Sequence, residues 1–208
     1  MGRREEKKAE ARQRISNVAT SLFLEKGFDS VSVAEVAAAA GVATMTVFNY
    51  FPRKEDLLLD RGDEARALVC AAVLERARGR SVVDAVLDAA ERLVAVAHPF
   101  TKWNMDTEKY LGMVHASPSL QARVRELREL VETELATALR ATTGATDNDV
   151  VAEILAVSIV AAWGAAHRTT SAARHAGTRA EALGSVFLRA LDDALDPVRR
   201  AASGTAYA

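Results

Sequence analysis

Apolar residues recur at helical spacing along almost all of the 208-residue chain, and no segment alternates apolar and polar residues over the length of a strand. Gly27 and Gly79 directly follow two of these segments, at positions where a glycine readily ends a helix. The sequence therefore predicts an all-α fold. Besides two short helices between residues 31 and 51, it predicts helices over residues 4–26, 54–78, 82–97, 105–116, 118–141, 147–174 and 179–195.

Residues 31–57, VSVAEVAAAAGVATMTVFNYFPRKEDL, predict two short helices joined by a tight turn. Ser32 and Glu35 have the spacing of a capping box, in which the hydroxyl accepts from a free amide and the carboxylate reaches back. Gly41 can take the left-handed conformation that closes a helix. These signals together predict a helix of two turns followed by a sharp change of direction.

The second short helix runs from about residue 43 to residue 51 and needs few inward-facing side chains. Val47 and Phe51 are four residues apart and supply that face, and Pro52 then ends the helix. Small polar and aromatic side chains remain on the outside, as expected of a surface that reads DNA in a helix-turn-helix. Lys54 follows at the start of the next helix, where free amides and a lysine together could hold a phosphate.

The segment from Ile15 to Leu57 resembles the DNA-binding domain of the TetR family of bacterial transcriptional regulators. Two residues depart from the family pattern: Ala43 replaces a capping serine, which leaves Thr44 to cap, and Phe48 replaces a tyrosine whose hydroxyl touches a phosphate in relatives. Phe48 could instead contact sugars or a thymine methyl group. The family pattern Val-Ser-x-x-Thr-Leu-Tyr-x-Tyr-Phe-x-x-Lys-x-x-Leu stands here as Val42, Ala43, Thr46, Val47, Phe48, Tyr50, Phe51, Lys54 and Leu57.

The resemblance implies a set of DNA-binding residues. Asn49 is the main candidate for base readout, because its amide matches the donor and the acceptor of adenine in the major groove. From the residues alone, Asn49 could equally solvate an exposed helix face, and Thr46 could bond to the backbone instead. The implied base contacts are Thr44, Met45 and Asn49, the implied phosphate contacts are Ser32, Tyr50 and Lys54, and Thr46 and Phe48 complete the set.

The helix predicted over residues 54–78 begins beside the DNA-binding segment and continues away from it. It would connect the DNA-binding segment to an effector-binding domain. A tilt of this helix could then change the spacing between the two DNA-binding domains of a dimer. We therefore predict three parts: a helix-turn-helix domain over residues 1–53, a helical effector-binding and dimerisation domain over residues 54–198, and a disordered tail over residues 199–208.

The segment 150–166 is apolar on nearly every side, so a helix here must be covered on two faces. One cover is the protein's own core and the other is a second copy of the chain. TetR relatives commonly dimerise through such helices, and a two-fold dimer places its reading helices about 34 Å apart on a palindromic DNA operator. The predicted homodimer interface consists of Ala161, Ala162, Ala165, Leu183, Phe187, Ala190 and Leu191.

Aromatic and methionine side chains concentrate in the middle of the chain and again on the apolar helix. Such residues could line a pocket for a small effector, as the resemblance to TetR proteins implies, or they could be ordinary core. Few charges lie among them, so the expected effector is a hydrophobic or aromatic compound. The candidate ligand-binding residues are Phe100, Trp103, Met105, Tyr110, Met113, His115, Trp163 and His167.

Composition restricts the other classes of function. The net charge is −1 and the sequence pI is about 6.4, so any positive field that attracts DNA must be local. A single cysteine, Cys70, permits no internal disulfide and favours the cytoplasm. The apolar run 154–166 is too short to span a bilayer, and no membrane partner is expected.

No catalytic or metal-binding motif is found, and the four histidines lack a metal-ligand spacing. The sequence therefore predicts neither an enzyme nor a cofactor. The preferred function is a ligand-responsive repressor that binds double-stranded DNA. The alternative is a helical protein-interaction module whose helix-turn-helix does not bind DNA.

Overall fold

The computed structural model describes residues 3–77, 79–146 and 148–208, and the side chains of all of these except residues 3 and 4. Within these ranges the chain is helical and has no strand, which confirms the predicted all-α fold. A 3-10 helix at Pro99–Thr101 lies between α6 and α7. The α-helices are α1 Arg3–Lys26, α2 Val33–Ala40, α3 Thr44–Tyr50, α4 Lys54–Leu58, α5 Gly62–Leu74, α6 Val82–Ala95, α7 Met105–Ala116, α8 Pro118–Thr143, α9 Val150–His175 and α10 Ala180–Ala202.

The first of two compact units comprises Met1–Gly62 and Met105–Arg125. Its core contains the inward face of α1 together with buried residues from α2 to α4, among them Phe23, Val47 and Leu57. Ion pairing and hydrogen bonding add polar contacts at its edge, for example between Arg123 Nε and Asp56 Oδ1 at 2.8 Å. The division predicted at residue 53 stays a prediction. The first unit contains residues 54–62 and 105–125 in addition to the predicted helix-turn-helix domain.

The second unit comprises Asp63–Asn104 and Glu126–Ala208. Its core is formed by α6, α9, α10 and the second part of α8. A Cβ atom added to Gly184 of α10 would lie 2.7 Å from Cγ1 of Val94 on α6. The close approach of these two helices therefore requires glycine, which is otherwise unfavourable inside a helix.

The continuous helix predicted over residues 54–78 is wrong: α4 ends at Leu58, and α5 begins only at Gly62. Leu57, Leu58 and Leu59 are all buried, and three consecutive residues of a straight helix cannot all face one core. Leaving the helix at Leu59 buries all three, and the Asp60 carboxylate then accepts a hydrogen bond from Ser16 Oγ. Two predicted helix boundaries, the end at residue 78 and the start at residue 147, lie outside the described residues.

The disordered tail predicted over residues 199–208 is also wrong. α10 continues to Ala202, and Tyr207 is only 2% exposed. The Tyr207 hydroxyl donates to Asp149 Oδ2 at 2.6 Å, and Asp149 also caps the start of α9. The polar composition of the tail does not reveal this contact because its partners lie far away in the sequence.

The apolar helix α9 is longer than the run counted in the sequence. It has 26 residues, and by length and composition alone it could cross a membrane. In the second unit one side of α9 packs into the core, with Leu155, Ala156 and Ile159 buried, and 33% of its most apolar window is buried inside the protein. A core helix passes the same test of length and composition.

Candidate functional site

The helices α2 and α3 form a helix-turn-helix whose two helices bend by 101° at their junction. Ser32 Oγ accepts from the Glu35 amide at 3.1 Å, and Glu35 Oε2 accepts from the Ser32 amide at 2.8 Å, which completes the predicted capping box. Gly41 is left-handed with φ 67°, and the Val42 amide closes the turn by donating to the Ala37 carbonyl. The local sequence thus accounts for both the end of α2 and the angle.

Helix α3 has one buried face and one open face. Val47 is fully buried, and Phe51, which directly follows α3, is 1% exposed. Thr44 and Asn49 are exposed, while Met45 is 69% and Phe48 41% exposed. The expectation that Thr44 caps this helix is wrong: Ala43 is the N-cap and makes no side-chain bond, and Thr44 is the first residue of the helix. No residue of α3 is charged, so this face could recognise bases only through amide, hydroxyl and apolar contacts.

The hydroxyl of Ser32, a candidate phosphate contact, already belongs to the capping box. It donates to Glu35 Oε2 at 3.2 Å, and Lys26 Nζ lies 3.6 Å from Glu35 Oε1. The Ser32 amide first, then its hydroxyl and the charge of Lys26, hold the pKa of Glu35 below its ordinary value. A phosphate at Ser32 would therefore meet a carboxylate whose charge Lys26 only partly offsets.

Lys54 is half-buried and makes cation–π contacts that the sequence did not indicate. Its Nζ lies 4.3 Å from the ring centroid of Phe28 and 6.0 Å from that of Phe23. Tyr50 and Thr46 are half-buried as well. Of the eight predicted DNA-binding residues, the exposed ones are Ser32, Thr44, Met45, Phe48 and Asn49.

The eight candidate ligand residues are divided between the two units. Met105, Tyr110, Met113 and His115 belong to α7 in the first unit, whereas Phe100, Trp103, Trp163 and His167 belong to the second. Met105 is 62% exposed, and burial, with a smaller contribution from Asp60, raises the pKa of Tyr110 to about 12. The single site that the sequence suggested therefore stays a prediction.

In the second unit, four rings form what we call the aromatic cluster: Trp103, Trp163, His167 and Phe187. The Phe187 ring centroid lies 5.1 Å from those of Trp103 and Trp163, and 5.0 Å from that of His167. The His167 centroid is also 5.4 Å from Trp103 and 6.0 Å from Trp163. Phe187, at the centre of these contacts, was predicted for the dimer interface, since its apolar position alone does not identify its neighbours.

Two polar groups of the aromatic cluster lie at the core, that of Trp103 buried and that of His167 half-buried. Trp103 is 7% exposed, and its Nε1 has no hydrogen-bond partner among the described residues. Burial lowers the pKa of His167 from 6.5 to about 4, against the opposing effect of a hydrogen bond with the Phe100 backbone. His167 is therefore neutral near pH 7.

Part of the predicted dimer interface is contradicted. Ala162 is 5% exposed, and Leu183, Phe187 and Leu191 are between 0% and 2% exposed within the single chain. They cannot cover a second copy, because Ala162 of α9 and the apolar stripe of α10 pack into the core of their own chain. Ala161 is exposed, and Ala165 and Ala190 are half-buried.

A different set of apolar residues is exposed on α9. Val150, Ile154 and Val157 are 65%, 54% and 47% exposed, and with Ala161 they follow each other at helical spacing along one face. We call these four residues the α9 stripe.

The described residues contain no group of three or more His, Cys, Asp or Glu side chains that could hold a metal ion. Cys70 is half-buried on α5, and burial, followed by the charge of Glu134, raises the pKa of its thiol. A raised pKa leaves less of the reactive thiolate.

The family profile described as "Bacterial regulatory proteins, tetR family" matches residues 15–60. Among solved structures, FadR of Thermus thermophilus, a TetR family transcriptional repressor in complex with lauroyl-CoA, is 24% identical with a TM-score of 0.53, over 89% of this chain and 93% of that one. A structure from Mesorhizobium loti assigned to the same family is 17% identical with a TM-score of 0.53, over 90% and 96%. A TetR-family regulator of Streptomyces coelicolor is 19% identical with a TM-score of 0.50, over 98% and 84%. No curated protein matches the sequence.

Proposed function

Since residues 15–60 belong to the TetR family of bacterial regulatory proteins, we propose that this DNA-binding transcriptional regulator is a dimeric repressor that a small apolar effector releases from a palindromic operator. The observation that carries the proposal is the helix-turn-helix with its 101° bend and the exposed, uncharged face of α3. Such a helix can enter the major groove, where base edges and thymine methyl groups are accessible. The protein would act in the cytoplasm, where its DNA is.

Base readout would centre on Asn49, with Met45 and Phe48 beside it as apolar contacts. An exposed amide can bond to adenine in a bidentate way, and exposed methionine and phenylalanine side chains suit thymine methyl groups. This combination favours A·T pairs in the operator. Lys54 would contribute a phosphate contact from above the Phe28 ring.

The α9 stripe supports a homodimer. Its four side chains form a continuous apolar surface on one face of a long helix, and a second copy related by two-fold symmetry could cover it with the same four residues. Ala165 and Ala190 could lie at its edge.

The aromatic cluster is the part of the predicted ligand set that supports an effector site. FadR, which shares this fold, is described in complex with lauroyl-CoA, a molecule with a long apolar chain. An effector would switch the protein by binding more tightly to the dimer geometry that does not fit the operator. Trp103 and His167 would then contact the effector, with Phe100 and Trp163 close by.

The test of DNA binding is fluorescence anisotropy on duplexes selected from a random library, compared with shuffled duplexes. Asn49→Ala should weaken binding to the selected duplex by about 1–3 kcal/mol and relax the preference for one base pair. The matched control is Asn148→Ala, since Asn148 is an exposed asparagine outside the helix-turn-helix. Lys54→Ala should weaken binding to all DNA sequences. It should also reduce the slope of log affinity against log salt concentration by about 1, as expected for the loss of one phosphate contact.

The uncharged face of α3 also keeps the interaction-module alternative open. A DNA binder that neutralises several phosphates loses affinity steeply as salt rises, whereas a protein-binding module need not bind DNA. If selection returns no preferred duplex and Asn49→Ala changes nothing, the repressor proposal fails and the alternative replaces it.

Sedimentation tests the dimer. Ile154→Lys should convert the dimer to a monomer, because it places a charge in the middle of the α9 stripe. Leu74→Lys is the matched control: Leu74 is 53% exposed and Ile154 is 54% exposed, but Leu74 lies on α5. A wild-type monomer at micromolar concentration, or equal effects of both changes, would exclude the proposed interface.

A further inference from the structure

We propose that the aromatic cluster binds an uncharged apolar molecule through one hydroxyl group, which accepts from Trp103 and donates to His167. The proposal rests on the proposed function in one respect, namely that the aromatic cluster is the effector site. It goes further by naming the chemical class of the ligand and the two protein atoms that recognise it.

The first handle is the indole N–H of Trp103. It is buried together with its ring, and none of the described residues accepts its hydrogen bond. Buried donors are almost always paired, because leaving one unpaired costs about 1–3 kcal/mol. An indole nitrogen can only donate, so its partner must be an acceptor. A ligand oxygen in this place would supply that acceptor.

The second handle is a ring nitrogen of His167. A neutral imidazole carries one ring N–H, and the Phe100 backbone opposes the lowering of the His167 pKa, as a carbonyl facing that N–H would. In a neutral imidazole the other nitrogen is then an acceptor. The centroids of the His167 and Trp103 rings are 5.4 Å apart, so the two handles belong to adjacent rings. A hydroxyl group both accepts and donates, and therefore matches this pair.

The surroundings argue against a charged ligand. Trp103 and Phe187 belong to a core of aliphatic and aromatic side chains that also includes Val86, Leu135 and Leu183. The burial that keeps His167 neutral would also penalise a carboxylate or an ammonium group. Arg174 Nη1 donates to the Trp103 carbonyl at 3.2 Å, so this nearby cation bonds to the backbone there.

The position of Trp103 in the chain allows a ligand to enter the aromatic cluster. The rings contact each other, so a ligand must displace one of them. Trp103 lies between the 3-10 helix and α7, outside any α-helix, and its ring can shift without breaking helical hydrogen bonds. Before the 3-10 helix, His98 Nε2 lies 3.2 Å from Glu64 Oε1. This contact attaches the start of the segment between α6 and α7 to α5.

Three probes with the same eight-carbon chain separate the chemical classes: 1-octanol donates and accepts, methyl octyl ether only accepts, and octanoate is charged. The wild-type, full-length protein is titrated without DNA, and tryptophan fluorescence is recorded. The only two tryptophans of the chain, Trp103 and Trp163, both lie in the aromatic cluster. We expect octanol to bind about tenfold more tightly than the ether and octanoate, which corresponds to one lost hydrogen bond or one buried charge. Equal binding of octanol and the ether would overturn the proposal.

Two variants test the assignment of the donor. Trp103→Phe removes the N–H and keeps a ring, and should weaken octanol binding about tenfold while the ether loses a similar factor. Trp163→Phe is the matched control, because it removes an indole from the same cluster without removing the unpaired donor. If the two variants weaken octanol binding equally, the Trp103 indole N–H is not the hydrogen-bond donor that recognises the ligand. If Trp103→Phe does not fold, the comparison of probes on the wild-type protein still decides.

Release of selected DNA by octanol is measured separately. Octanol binding that depends on Trp103 without release of DNA would support the ligand chemistry and refute the effector role in the proposed function. Release of DNA by molecules that bind independently of Trp103 would support the effector role and refute the proposed ligand chemistry.

Discussion

The burial of His167 makes protein stability depend on pH in a defined direction. Its pKa falls from 6.5 to about 4 in the folded chain, so below pH 6.5 the unfolded chain takes up a proton that the folded chain does not. Above pH 6.5, the pKa of His167 in the unfolded chain, the neutral ring makes its full contribution to the free energy of unfolding. This contribution is lost as the pH falls from 6.5 towards 4. At pH about 5 the loss amounts to about 2 kcal/mol, out of a total of about 3 kcal/mol.

The assay is urea unfolding followed by circular dichroism, at one protein concentration and at pH about 7.5 and about 5. His167→Phe keeps an aromatic ring in the cluster and cannot take up a proton. We expect the stability difference between the two pH values to be smaller in this variant than in wild type by about 2 kcal/mol. His175→Gln, an exposed position of the same helix, should keep the wild-type difference. If wild type and His167→Phe lose the same stability on acidification, the reasoning about the buried ring is refuted.

Three further predictions concern other parts of the chain. Gly184→Ala should destabilise the protein by about 1–3 kcal/mol in urea unfolding, because the new methyl group would meet Val94; unchanged stability would contradict the close approach of α6 and α10. Tyr207→Phe should lower the unfolding free energy by about 1 kcal/mol, since Asp149 loses its hydroxyl partner, and a disordered tail would show no loss. On a selected duplex, thymine-to-uracil replacement should weaken wild-type binding about fourfold where Met45 contacts a methyl group, and Met45→Ala should abolish that difference in an anisotropy titration.

The helix-turn-helix could be predicted in detail because its signals are local. The capping box of Ser32 and Glu35, the left-handed Gly41 and the stop at Pro52 act within a few residues of where they stand. The inward face of α3 also followed from spacing alone, since Val47 and Phe51 are both buried. Local hydrogen bonds and backbone preferences are sufficient to define such elements, and the structure has them as expected.

The aromatic cluster could not be predicted, because it depends on which helices pack together. The sequence suggested eight ligand residues as one group, and the tertiary structure divides them between two units. Phe187, which contacts Trp103, Trp163 and His167, lies far along the chain on an apolar stripe that could equally have met a second copy. Periodicity shows that such a side chain is buried, but it does not identify the partner.

The same limit applies to the exposed apolar face of α9 and to the interrupted helix. The sequence determined by itself that α9 and α10 carry apolar faces and that residues 57–59 are apolar. Only the tertiary structure decided that the stripe of α10 fills its own core, that Val150 and Ile154 remain exposed, and that the chain leaves the helix at Leu59. The physical reason is that the hydrophobic effect has no direction: it requires apolar surface to be covered, and the packing of distant segments determines which surface covers it.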